Sequence, residues 1–476
     1  MTGPTATGPT ATEQRSARDV PPVALVGDGV LVPCADGRER PYLSCDAAAS
    51  TSAFESVVER VQEFLPWYSS VHRGAGYKSQ RATDAYESAR EGALRFAGRS
   101  SSDDVAIICR NTTEAINHLV YRLGLSPDDV IATTVVEHHA NLLPWSRAAR
   151  CRYVECRPDG TFETDDVLAA LDERPVPRLL AVTAASNITG WMPPIGEITA
   201  AAHARGVRVV VDAAQLAPHR PLPATPDFVA WSGHKMYAPF GAGVLIGPRD
   251  AFKEGEPFLA GGGAVDLVDL DEVVWTQPPD REEAGSPNVI GAVALLAAIE
   301  QMERTGWEAL IEHDRMVAQR LRHGLATISG VHLLGPDLAM DTLPVAAFTL
   351  EGYSHSLVAA RLSAEEAVGV RHGCFCAHPY LMRLLGLGHA EVAEYRAQVL
   401  RGDRSHMPGA VRASLGINAT EGDVDRLCAA VARIAAGDPS PVSYIQDPRT
   451  GDFAPDPVLV PWMAATRPHG SSCSPG

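Results

Sequence analysis

The sequence predicts an α/β protein: a large domain built on a mostly parallel sheet, then a smaller α+β domain. Three observations point there. Short apolar runs alternate with helix-period stretches as far as about residue 306. Polar residues of reactive type stand where those apolar runs stop. Beyond residue 306 the regular alternation gives way to a mixed pattern. The composition, 45% hydrophobic and 21% charged over 476 residues, suffices for a large core.

Taken in order, residues 1–22 repeat Thr, Gly, Pro and Ala and have no face that can pack, so a disordered tail is expected. Residues 23–64 are expected to form an N-terminal segment packing with the small domain. The large domain spans 65–306. In it, "DVAIICR" (104–110) reads as a strand, and "NTTEAINHLVYRLGL" as a helix capped by Thr112 or Thr113 and ending near Gly124. "DVIATTVVE" (129–137), "RLLAVTAAS" (178–186) and "VRVVVDAAQ" (207–215) read as further strands, with the helical "IGEITAAAHARG" (195–206) before the last. Strand, helix, strand at this spacing requires crossovers and hence parallel pairing. "PNVIGAVALLAAIEQMERTG" (287–306) carries a helical stripe through Ile290, Val293, Leu296 and Ile299, with Ser286 as expected cap and Pro287 in the first turn. The small domain, 307–436, opens with a helix over 307–328. Strands follow near "VHLLG" and "PVAAFTL", then a helix near 354–363. Residues 437–476, rich in Pro, Asp and Ser, are expected to lie extended on the surface with a loose end.

A formal net charge of −17 argues against nucleic acid as the main partner. The nine cysteines form no regular framework, and no secretory segment or membrane-length apolar run is apparent, so reduced thiols in the cytoplasm are expected.

In open α/β sheets, ligands bind beyond the carboxyl ends of the strands. At those ends stand Asp212, with Gln215 three residues on, His138 and His139 after "VIATTVVE", and Asn187 after "LLAVTAAS". Lys235 follows the strand "DFVAW", 23 residues beyond Asp212. Thr112 and Thr113 sit at a strand-to-helix turn suited to phosphate. A lysine, a buried carboxylate, a ring-stacking histidine and a phosphate cup together suit pyridoxal 5′-phosphate. Lys235 would bind it as a Schiff base, and Asp212 would pair with the pyridine nitrogen. His138 would lie on the ring, and Gln215 could reach the phenolic oxygen. Ser232, His234 and Thr113 could hold the phosphate. Singly, each residue is as readily a turn, a cap or a solvated charge.

"VRHGCFCAHPY" (370–380) gathers Arg371, His372, Cys374, Cys376 and His378. The C-x-C spacing without a second pair argues against zinc, and no metal is expected. Buried structural cysteine and a redox pair are alternatives to a nucleophilic thiol whose pKa is lowered by Arg371 and the histidines. In extended geometry both cysteines would face the same way. Arg412 suits capture of a substrate carboxylate, or equally a surface ion pair.

"EHHANLLPW", "SNITGWMPPI", "VDAAQLAPHRPL", "SGHKMYAPFGAG", "EAGSPN" and "RASLGINATEGDVDRL" occur in the order found in class V pyridoxal-phosphate enzymes. From about Tyr42 to about Ala436 the chain resembles the group II cysteine desulfurases and selenocysteine lyases especially. The resemblance implies a fold-type I homodimer with a seven-stranded-type sheet and sites at the subunit interface. It supports Lys235, Asp212, Gln215, His138, Thr113, Ser232 and His234 in the roles above. It adds Ser286 as a phosphate ligand reaching the partner's site, and Asn187 and Arg412 as the carboxylate grip. Arg371 matches an active-site arginine, and Cys376 the sulfur-accepting cysteine. The implied reaction takes sulfur from L-cysteine onto Cys376, giving L-alanine, with a sulfur-acceptor protein downstream. An aminotransferase, epimerase or lyase acting on another amino acid is the alternative. "GCFC" departs from the usual desulfurase spelling. About twenty extra residues, 388–409, fall between the cysteine loop and Arg412, over the expected substrate entrance.

Overall fold

The computed structural model describes residues 23–458 and 460; the expected disordered tail and loose C-terminal end lie outside them. Seven strands form the large sheet: β1 (Asp104–Cys109), β2 (Val130–Thr134), β3 (Arg150–Val154), β4 (Leu179–Thr183), β5 (Arg208–Asp212), β6 (Phe228–Ser232) and β7 (Gly243–Pro248). Their spatial order is β1-β7-β6-β5-β4-β2-β3. Only β7 runs against its neighbours. The mostly parallel sheet read from the sequence is therefore present. Its central strands are apolar throughout because helices cover both faces, and Val209, Val210 and Val211 are wholly buried. Full burial of each such side chain contributes roughly 1.5–3 kcal/mol.

The helix after β1 spans Thr112–Arg122, and its N-cap is Asn111, whose side chain accepts from Glu114 N–H. The expected cap, Thr112, is instead the first helical residue. Asn111 wins because its side-chain oxygen reaches the amide of the third helical residue, in the first turn, from extended backbone. The same correction applies to the helix Val289–Thr305: Asn288, accepting from Gly291 N–H, caps it rather than Ser286. Gly243, the first residue of β7, has a backbone reason to be glycine. A Cβ there would lie 2.6 Å from Asn111 Cα, so β7 could not pass the turn that starts the helix.

A second sheet has the order β8 (Val331–Leu334), β9 (Val345–Leu350), β11 (Ala410–Ser414), β10 (Arg371–Gly373), all antiparallel. Arg412 lies inside β11, paired with Ala347 and Arg371, so its backbone is held on both sides. The helices Trp307–Ala326, His355–Glu366 and Glu421–Ala435 pack with this sheet around a separate core. The N-terminal segment divides its contacts. Leu43–Ser44 pairs with Val368–Gly369 beside the small sheet, whereas the helix Glu55–Phe64 packs Val57 and Val61 into the large core. The segment after Gly437 is not simply extended; it forms a hairpin, Tyr444–Gln446 with Phe453–Pro455. Among the described residues no helix is long and apolar enough to cross a membrane.

Candidate active site

The carboxyl ends of β1, β2, β4, β5 and β6 converge on a cavity of about 300 Å³. Lys235, Asp212, His138, Gln215, Thr112, Thr113, Ser232, His234, Asn187, Arg371, Cys376 and Arg412 all line it. Of the expected site residues, Ser286 alone lies elsewhere. It borders a different cavity with Gly241, Pro287 and Asn288.

Lys235 ends a short 3₁₀ turn, Gly233–Lys235, that continues β6. Burial pushes its amine down to about 8, partly opposed by Asp212. Asp212, the last residue of β5, is buried, and burial raises its pKa while the Ala214 N–H and Lys235 pull it back. Its Oδ1 accepts from Ala214 N–H at 2.9 Å, the one protein donor to this carboxylate among the described residues. His138 is driven down to about 3 by burial and then by Lys235, so the ring is neutral. Its Nδ1 accepts from Ala140 N–H at 3.0 Å, which leaves the proton on Nε2. Gln215 donates through Nε2 to Ala48 O at 2.7 Å, keeping a second N–H to offer. At the helix start, Thr112 N–H donates to Ser232 Oγ at 2.8 Å, and the two hydroxyls lie 2.7 Å apart. His234 Nδ1 meets Ser50 Oγ at 3.2 Å.

The cysteine loop is not extended. Phe375 and Cys376 both have φ of 54°, a left-handed turn costing roughly 1–2 kcal/mol per non-glycine residue. Specific contacts hold it. Asn187 Nδ2 donates to Phe375 O at 2.7 Å, His139 N–H to Cys376 O at 2.8 Å, and Ala377 N–H to Cys374 O at 3.0 Å. The Arg412 guanidinium lies 5.1 Å from the centre of the buried Phe375 ring. The turn gives the two thiols different surroundings, although both border a neighbouring cavity. Cys376 is exposed and lines the Lys235 cavity, while Cys374 is half-buried against the large core. The nearby imidazoles also differ from expectation. Burial lowers the pKa of both His372 and His378, which disfavours the positive charge expected of them. Lys235, Arg371 and Arg412 line the same cavity as Cys376.

Two residues at this site were not anticipated. Glu137 is fully buried below His138, and burial lifts its pKa to about 8. Thr134, Asn141 and Thr183 N–H all donate to it, tying the loop after β2 to β4. A carboxylate ending an apolar strand was the available signal. Asp46 joins Arg371 and Arg412, with Oδ2 at 2.9 Å from Arg371 Nη2 and Oδ1 at 2.8 Å from Arg412 Nη2. Nothing local in "YLSCDAAAS" marks it.

The 388–409 stretch contains a helix, His389–Leu400. None of its residues lines the Lys235 cavity. Its end, Arg404–Gly409, walls a second cavity of about 720 Å³ that shares Arg371, Phe375 and Cys376 with the first. The C-terminal hairpin pins this wall, through Arg404 N–H to Pro448 O at 2.7 Å and Gln446 Nε2 to Ser405 O at 2.9 Å.

Residues 43–427 match the aminotransferase class-V family. A cysteine desulfurase of Dickeya dadantii is 33% identical over 418 residues, which are 85% of this chain and 94% of that protein. A cysteine desulfurase of Cronobacter sakazakii is 34% identical over 85% of this chain and 96% of its own. Among solved structures, the apo cysteine desulfurase of Thermococcus onnurineus NA1 superposes with a TM-score of 0.74 at 30% identity, covering 83% of this chain and 95% of that one. The cysteine desulfurase CsdA of Escherichia coli gives 0.69 at 32%, covering 82% and 94%. The chain belongs to the aminotransferase class-V family, a family of pyridoxal-phosphate-dependent enzymes.

Proposed function

We propose that the chain binds pyridoxal 5′-phosphate on Lys235 and removes sulfur from L-cysteine, giving L-alanine and a persulfide on Cys376. The observation that carries this is the placing of an exposed thiol, Cys376, and a desolvated amine, Lys235, in one cavity. The donor set fits the cofactor. The amine is partly neutral at physiological pH, a buried carboxylate has one protein donor, and a helix N-terminus with Thr112 and Ser232 suits a phosphate.

Bound there, pyridoxal phosphate would supply an electron sink for the carbon next to the substrate amine. Asp212 would hold the pyridine N–H, and the neutral His138 ring would cover the face. Arg412, with Asn187 beside it, would take the α-carboxylate. Lys235 would carry the α-proton. The Cys376 thiolate would form a bond to the substrate sulfur while the carbon–sulfur bond breaks. The electron pair remains on carbon, which takes a proton to become the alanine methyl. Cysteine plus thiol thus gives alanine plus persulfide with no external oxidant or reductant. The acceptor, a protein thiol, would reach Cys376 through the second cavity. A homodimer would let Ser286 serve the partner's phosphate.

Incubation with L-cysteine tests this reading. Alanine should form, and mass spectrometry should find one extra sulfur on Cys376; neither product, with cofactor bound, overturns it. Asp212→Asn should keep part of the cofactor yet lose turnover by about 10²-fold or more, since a neutral amide cannot hold the pyridine nitrogen protonated. Turnover near that of the parent protein would show that the pairing is wrong.

A further inference from the structure

Arg412 of the carboxylate grip has Arg371 as its direct cross-strand neighbour, Arg371 on β10 opposite Arg412 on β11. Like charges so placed repel. Asp46 relieves this from a third segment, and it holds the two unequally. Arg371 gives it both Nε and Nη2, at 3.0 and 2.9 Å, whereas Arg412 gives Nη2 alone. Arg412 is almost wholly buried. Its Nη1 donates to Asn187 O at 3.0 Å, and its Nε, also buried, has no hydrogen-bond partner among the described residues. A guanidinium binds carboxylate best through two parallel N–H groups. On Arg412 the Nε–Nη2 edge has no contact from Asn187, and Asp46 occupies half of it.

We propose that Asp46 is a specificity-determining residue that competes with the substrate's α-carboxylate for Arg412. A carboxylate that takes the Nε–Nη2 edge satisfies the orphaned Nε and displaces Asp46 from Nη2. Asp46 then keeps its two-pronged contact with Arg371, whose side chain is half exposed and free to move with it. No charge is left unpaired, so the exchange costs one hydrogen bond. An amine without a carboxylate has nothing to exchange and leaves the Asp46 bridge closed. The inference rests on the reading of Arg412 as the carboxylate grip, but not on desulfurase chemistry.

The test uses propionate, a carboxylate with no amine and no sulfur, titrated by calorimetry into the protein as purified. Asp46→Asn should bind propionate about tenfold more tightly, by removal of one charge-assisted competitor. The KM for L-cysteine should fall in the same variant with kcat little changed. Arg371→Gln, which removes the alternative partner of Asp46, should bind propionate more weakly. Asp46→Ala serves if the asparagine variant does not fold. Unchanged or weaker propionate binding in the Asp46 variants would make Asp46 an orienting residue for Arg412 and overturn the proposal, as would undiminished binding in Arg371→Gln. Tighter propionate binding without any reaction of L-cysteine would leave this inference standing and remove the proposed activity.

Discussion

Lys235→Ala protein is expected to carry no covalently held cofactor after borohydride reduction and to lose at least about 10³-fold in turnover, the scale removed with a positioned acid–base group. The expectation rests on desolvation. With its pKa pushed down to about 8, about one Lys235 amine in ten is neutral at pH 7, against about one in three thousand for an ordinary lysine. Only the neutral amine attacks an aldehyde. Lowering the pKa therefore places the rise of reactivity near pH 8, and cofactor-depleted protein should react with added aldehyde at a rate that climbs through that pH and then levels. Reduced cofactor attached to the alanine variant would show that another group holds it. A rise centred near pH 10 would show that the amine is solvated.

Cys376→Ser should abolish alanine formation from L-cysteine while leaving the cofactor's absorbance in place, and Cys374→Ser should retain most of the activity. The left-handed turn decides between them. It presents Cys376 to the Lys235 cavity and leaves Cys374 packed against the large core. A thiolate attacks sulfur far better than a thiol, and Cys376 shares its cavity with Lys235 and Arg412. Mass spectrometry after exposure to L-cysteine would locate the added sulfur. Sulfur on Cys374 would reverse the assignment. None on either, with substrate bound, would favour transamination, epimerisation or another lyase reaction.

Much of this site was legible in the chain because strand ends are local features. A buried parallel strand must be apolar, so Asp212 after "VRVVV" and Lys235 after "DFVAWSGH" stand out by contrast. Once the strands are parallel, their carboxyl ends share an edge, and the gathering of Thr112, His138, Asp212 and Lys235 in one cavity follows from that topology. Helix caps were less legible. Asn111 and Asn288 lie one or two residues from the hydroxyl residues expected in those roles, and adjacent polar residues compete on backbone angles that composition does not reveal.

What the sequence determined by itself was the period of each element and the edge on which the reactive groups gather. Only the tertiary structure decided how those groups are paired. Asp46 meets Arg371 and Arg412 across 325 and 366 residues of chain, and no local pattern encodes a contact of that span. The different surroundings of Cys376 and Cys374 come from two left-handed residues, held by hydrogen bonds from Asn187 and His139. The downward pull on the pKa of His372 and His378 is likewise a product of burial and not of residue type. Periodicity is written in neighbours; charge state and partner depend on what the fold brings within a few ångströms.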